Sequence, residues 1–239
     1  MVQWKSFGVS AIGPGHIRKG MPNQDFFAER HLESFDCVVA SDGVGSCPKS
    51  DIGSAMACHA VIETASKFSS YQPKPDIKEI IECVKSRFLE NIKPFTPRDC
   101  SATCLFALRW EENVLMALLG DGMVAAIQNN GDVIILGDDK SSSFSNLVSA
   151  LSPKAQFTDW KTLQMRENDC MGIVLCTDGI SDDLEDPKGF AKGFWESCQK
   201  VSLETNIENT REMLLNWSVP RHSDDKTIVC MYRSEVQDE

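Results

Sequence analysis

Basic side chains are in short supply. The 239 residues carry 24 Lys and Arg against 35 Asp and Glu, a formal net charge of −11. Nonspecific nucleic-acid binding and docking on an anionic membrane both require net attraction to phosphate, so neither partner is expected. No apolar run approaches the roughly 20 residues that span a bilayer. Met1-Val2-Gln3-Trp4-Lys5-Ser6-Phe7-Gly8 has no basic stretch leading into an apolar one, so no secretion signal is expected there. The ten cysteines include no Cys-x-x-Cys pair, and their spacing disfavours a zinc site. Several sit in apolar runs, as in Cys37-Val38-Val39, Leu175-Cys176 and Val229-Cys230-Met231, where cysteine acts as a small hydrophobe. The expected setting is a cytoplasm with reduced thiols. A Gly-x-x-x-x-Gly-Lys-Ser/Thr loop is lacking too, which argues against a P-loop nucleotide site.

What is present suits a globular chain. With 42% hydrophobic and 25% charged residues, no repeat and no linker, residues 1–239 read as one domain with a sizeable core. Strands are predicted at 4–12, 26–30 and 36–41, followed by helices at 50–69 and 76–92 that Tyr71-Gln72-Pro73-Lys74-Pro75 separates. Further β-rich runs cover 102–110, 113–119, 123–128 and 132–136, with Asn129-Asn130-Gly131-Asp132 as a hairpin turn. The polar stretch 137–157 reads as a surface loop or flap. Strands at 160–165 and 172–177, helices at 188–200 and 205–217, and a strand at 227–233 complete the pattern. Grouped strands separated by helix pairs predict an α+β domain, with two largely antiparallel sheets face to face and helices outside.

Acidic residues recur at strand ends. Phe35–Ser41 runs into Asp42-Gly43, Val114–Gly120 into Asp121-Gly122, and Gly172–Thr177 into Asp178-Gly179. Asp224-Asp225 precedes the strand Thr227–Met231. Any one Asp-Gly pair is adequately explained as a turn. Convergence of the set would place several carboxylates within repulsive reach, which cations or protons must relieve. Hard oxygen donors without a His/Cys set favour Mg²⁺ or Mn²⁺ over Zn²⁺.

The ordered motifs are Asn23-Gln24-Asp25, Ser41-Asp42-Gly43-Val44-Gly45-Ser46, Ser101-Ala102-Thr103, Gly120-Asp121-Gly122, Thr177-Asp178-Gly179-Ile180-Ser181-Asp182 and Asp224-Asp225-Lys226-Thr227. In this order the chain resembles the metal-dependent serine/threonine protein phosphatases of the type 2C family, in their compact bacterial form. The resemblance implies a four-layer α-β-β-α sandwich: a central antiparallel β-sandwich flanked by helix pairs, with two Mn²⁺ or Mg²⁺ ions at one end. It implies that Asp42 bridges the ions, the Gly43 carbonyl binds one, Asp178 and Asp224 hold the other, and Asp25 acts largely through water. Asp121 and Asp182 match positions that, with Asp178, hold a third, weaker ion. Asp183 and Asp225 are read as solvated neighbours or turn formers.

Two departures bear on substrate phosphate. Gly20 stands where many members have a phosphate-gripping Arg, and Val44 where eukaryotic members often have a general-acid His. His16 is the expected substitute, as phosphate ligand or proton donor, against a plain structural role. Arg18 and Lys19 are alternative clamps, against the ordinary reading of exposed basic residues. Gln24 replaces a frequent Glu. His31 and His59 are read as structural, and His222 as an outlying neighbour of Asp224.

The expected activity is hydrolysis of phosphoserine or phosphothreonine in proteins by metal-activated water. No Cys-x₅-Arg loop is present for a cysteine-based route. The alternatives are a catalytically weak member that binds a partner, such as a cognate Ser/Thr kinase, and a phosphatase of small esters.

Overall fold

The computed structural model describes residues 2–32, 35–71, 74–137, 149–217, 219 and 222–235. Ten strands and six helices follow in the order β1 (Val2–Ala11), α1 (Pro14–Lys19), β2 (Asp25–Leu32), β3 (Phe35–Asp42), α2 (Ser50–Phe68), α3 (Ile77–Asn91), β4 (Cys104–Trp110), β5 (Asn113–Leu119), β6 (Met123–Gln128), β7 (Val133–Leu136), β8 (Lys161–Arg166), β9 (Cys170–Cys176), α4 (Asp178–Ser181), α5 (Pro187–Cys198), α6 (Leu203–Leu215) and β10 (Lys226–Glu235). They form two antiparallel sheets, ordered β1-β10-β9-β6-β7 and β2-β3-β4-β5-β8. The α-β-β-α sandwich expected from sequence is the fold observed.

Apolar alternation explains why the strands read as nearly continuous hydrophobic runs. On β3, Cys37 and Val39 pack under α2 and α3, while Val38 and Ala40 face the other sheet. On β9, Val174 and Cys176 pack toward α5 and α6, while Ile173 and Leu175 point into the sandwich. A central strand buried on both faces has no polar alternate, unlike the half-solvated strand of a simple hairpin. All ten thiols are free, and all but Cys47 and Cys83 are buried. The core-packing role expected of most cysteines therefore holds.

The helices start where short polar side chains satisfy open N–H groups. Asp76 and Glu79 form a reciprocal capping box on α3, and Asp186 and Ser202 cap α5 and α6. The six-residue α1, opened by Pro14 and closed by Gly20 at φ +63°, was not anticipated. It is too short to show a helical period. Part of the expected 137–157 loop or flap packs against the fold. Residues 138–148 lie outside the described residues, but Leu151 and Ala155 are buried against the sheet, and Leu151 N–H bonds the Ala102 carbonyl at 2.9 Å.

At the end of the sandwich where β3 begins, a polar network staples the sheets together. Ser6 on β1 donates to Glu29, and its Oγ lies 2.7 Å from His31 Nε2. His31 Nδ1 lies 2.6 Å from Asp36, which also pairs with Arg109. Glu167 accepts from Trp4 at 2.7 Å and pairs with Arg109. His31 lies on β2, just beyond the expected strand 26–30. Serine, histidine and aspartate are thus in line, yet Ser6 is buried and its proton is committed to Glu29, so the relay is structural. The Asp36 bond holds the His31 imidazole above its ordinary pKa, against a smaller opposing effect of burial. Stability from that charge is complete below the unfolded value and lost as pH rises through the folded one. Raising the pH from about 6 to about 9 should therefore lower the urea midpoint of the wild type more than that of His31→Gln. Equal slopes would show that His31 carries no proton in the staple.

Candidate metal centre

Strand pairing delivers the acids to one end. Asp25 opens β2 directly opposite Asp42, the last residue of β3. Asp42 exchanges hydrogen bonds with Thr103, its N–H donating to Oγ1 and its carbonyl accepting from the Thr103 N–H, both at 2.8 Å. On the second sheet, Cys176 at the end of β9 pairs with Ile228 near the start of β10, which sets Asp178 beside Asp224. Thr177 links the sheets: its hydroxyl donates to Asp25 at 2.7 Å and accepts from Thr227 N–H at 3.0 Å. The Asp-Gly recurrence has a steric reason. A Cβ at Gly43 would overlap the Ser50 carbonyl, and one at Gly179 would overlap that of Asp225.

A cavity of about 400 Å³ opens there, lined by Asp42, Gly43, Asp121, Asp178 and Asp224, with His16, Lys19, Gln24 and Thr103. Burial, then the charges of Asp25 and Asp178, push the Asp42 carboxyl well above the usual range. Burial, then Asp121, Asp224, Asp25 and Asp182, push Asp178 up to about 7. Asp25 is raised to about 6, again chiefly by burial, against hydrogen bonds from Thr177 and with Asp42. The acids therefore act on one another across a single site.

Not every expected residue reaches the cavity wall. Asp25 is buried behind Asp42, and Asp182 is exposed at the C-terminal end of α4, where its charge still reaches Asp178. His16 and Lys19, three apart on α1, share the face toward the cavity, whereas Arg18 is exposed outside it. Asp225 is neither solvated nor a simple turn former: it is 2% exposed and accepts bonds from Gly13, His16 and Gln24. Asp183 likewise accepts from Trp217 at 2.8 Å and lies 2.7 Å from Nδ1 of His222. Lys226, quoted only as part of a motif, had no role expected of it. It is buried, and its ammonium donates to the Asp224 carbonyl at 2.9 Å, an internal counter-charge beside the acids.

The lining fits a hard divalent cation: four aspartates, and no cysteine among the residues that line the cavity. Among the described residues, no three His, Cys, Asp or Glu are drawn together tightly enough to enclose an ion on protein atoms alone. The acids line the cavity wall without closing into such a group, so a cation held there would have to keep several waters.

A family model described as protein phosphatase 2C matches residues 12–216. The chain belongs to the protein phosphatase 2C family. No curated protein matches it. Among solved structures, the fold is shared with serine/threonine phosphatase Stp1 from Staphylococcus aureus, at 14% identity and TM-score 0.70 over 96% of this chain and 95% of that one. It is also shared with the catalytic domain of the serine threonine protein phosphatase PstP in complex with two manganese ions, at 14% identity and TM-score 0.64 over 98% and 100%. RsbX in complex with magnesium is similar at 17% identity and TM-score 0.63 over 98% and 100%. No helix among the described residues is long and apolar enough to cross a membrane.

Carboxyls raised in the folded protein hold protons that the unfolded chain has already released. In chelator-treated protein, stability should therefore fall as pH rises from about 4 through about 7. Mn²⁺ or Mg²⁺ should raise the melting temperature more at about pH 7.5 than at about pH 5. Asp42→Asn removes one repelling charge, so it should melt higher than wild type without metal at neutral pH and respond less to the cation. Identical metal responses in the two proteins would take Asp42 out of the centre.

Proposed function

We propose that the chain is a phosphomonoester hydrolase that removes phosphate from phosphoserine and phosphothreonine in proteins. The single observation that carries this reading is that Asp42, Gly43, Asp178 and Asp224 line the same cavity as His16 and Lys19. Asp42 would bridge two Mn²⁺ or Mg²⁺ ions, the Gly43 carbonyl would bind one of them, and Asp178 and Asp224 would hold the other. Asp121, with Asp178 and Asp182, would serve a third, weaker ion. When bound, such ions would supply an activated water and offset charge on the phosphoryl oxygens.

The chain's own groups do the rest. Asp25 and Thr177 fix the Asp42 side of the cavity from behind. His16 and Lys19 face the acids from α1 and present a ring nitrogen and an ammonium to a phosphoryl group, which balances the negative wall. His16, which lines the cavity, would protonate a leaving alkoxide, because Val44 on the same wall has no proton to give.

The competing reading is a weak or inactive member that binds a partner protein, such as a cognate kinase. The absence of an Arg at Gly20, and Gln24 where a Glu is frequent, favour it. The test is metal-dependent phosphate release from a phosphothreonine peptide and from a small aryl phosphate. Asp42→Asn and Asp178→Asn should each lower kcat/KM by at least about 100-fold on both substrates. Activity that survives both changes would overturn the metal-dependent route. A wild type that binds Mn²⁺ and hydrolyses neither substrate would favour the regulator, and turnover of the aryl phosphate alone would favour a small-ester phosphatase.

His16→Ala should reduce kcat/KM for the phosphopeptide about 10- to 100-fold and leave the Mn²⁺-induced rise in melting temperature unchanged. Unchanged kinetics would return His16 to a structural role.

A further inference from the structure

One buried acid has no part in the centre as described. Asp225 does not line the cavity, yet its carboxylate is the meeting point of three segments. Oδ1 accepts from Gly13 N–H at 2.6 Å, and Oδ2 accepts from Gln24 N–H at 2.6 Å and lies 2.8 Å from His16 Nδ1. Gly13 leads into α1, and Gln24 leads into Asp25.

We propose that Asp225 is a positioning residue that acts through His16: it engages Nδ1 as a donor and leaves Nε2 as the ring atom facing the substrate phosphoryl group. The inference rests on the phosphatase reading above and adds to it which atom of His16 works and what aims it. A carboxylate only accepts, so His16 must present an N–H at Nδ1. The doubly protonated ring also carries on Nε2 the proton that a leaving alkoxide would take, and the neutral ring left behind keeps Nδ1–H and a bare Nε2. The hydrogen bond at one ring nitrogen sets the state and direction of the other. Nε2 lies on the opposite edge of a ring that lines the cavity, and the His16 side chain is only 14% exposed.

Local structure alone could not hold this aim. A helix of six residues is unstable by itself, and Ile17, Arg18 and Lys19 are all exposed. The helix is instead docked on the segment before β10. Gly15 N–H bonds the Ser223 carbonyl at 2.8 Å, and a Cβ at Gly15 would come within 2.7 Å of the same oxygen. The residue that aims His16 is thus the chain neighbour of Asp224, so the phosphate-facing ring and the metal-facing acid are set by one stretch of backbone. If Asp225 only clamped loops, its bonds to Gly13 and Gln24 would suffice. The bond to His16 is the one that a loop clamp does not need.

The experiment is long-range ¹H–¹⁵N NMR of the full chain with Mg²⁺, at a pH where His16 is neutral. A proton on Nδ1 and a bare Nε2 are expected, and a proton on Nε2 would overturn the proposal. Asp225→Asn should shift the ring toward the Nε2–H form and lower kcat/KM about tenfold or more. In a His16→Ala background the same change should cost less than about a further twofold, whereas additive losses would make Asp225 a loop clamp only and overturn the proposal. Should Asp225→Asn fail to fold, His16→Gln and His16→Asn decide, because the glutamine amide reaches the place of Nε2 and the asparagine amide that of Nδ1. His16→Gln should retain at least about fivefold more activity than His16→Asn, and the reverse order would overturn the proposal. Absence of turnover in the wild type would remove the phosphatase reading instead, and the ring state would still decide whether Asp225 sets His16.

Discussion

Repulsion among buried carboxylates is the constraint around which one end of this sandwich is arranged. Two like charges about 4 Å apart cost on the order of 4 kcal/mol even at an effective dielectric near 20. Asp25, Asp42 and Asp178 are all raised by burial, and each lies within reach of other aspartates. Left on flexible loops, such groups would move apart. Here Asp25 and Asp42 are tied to opposed positions on paired strands, Thr177 joins Asp25 to the second sheet, and α4 starts at Asp178 itself. A divalent cation is the natural complement to acids that are prevented from separating.

The two ends of the sandwich handle buried acids differently. At the far end, Asp36 and Glu167 have internal partners in Arg109 and His31. At the cavity end, Lys226 is the buried cation beside the acids, and it is bonded to a carbonyl. His16 and Lys19 lie across the cavity rather than among the acids. The far end is therefore a self-sufficient staple. The cavity end gathers carboxylates that burial and mutual repulsion hold uncomfortably together, a strain that a bound cation would relieve.

Much of this was legible in the chain. Strands buried on both faces wrote themselves as long apolar runs, so β3, β5, β9 and β10 fall where those runs lie, and the helix pairs fall in the gaps between them. The motif order brought out Asp42, Asp121, Asp178 and Asp224, and all four line the cavity. The misses were long-range or short-lived in sequence. α1 has too few residues for a period, and Lys226 reads as an ordinary lysine at a strand start. Asp183 reads as solvated until Trp217 and His222, more than 30 residues on, close over it.

The pair Asp224-Asp225 shows where local information ends. Composition and spacing alone determined that two adjacent acids precede a core strand, and therefore that carboxylate charge would be carried to its end. Which of them meets the cavity was not written locally, because neighbouring residues of an extended chain point to opposite sides. That choice follows from the register of β10 against β9 and β1, pairings that join residues more than 50 and more than 200 positions apart. The tertiary structure turned Asp224 outward to the cavity and Asp225 inward to Gly13, His16 and Gln24, giving identical side chains different work.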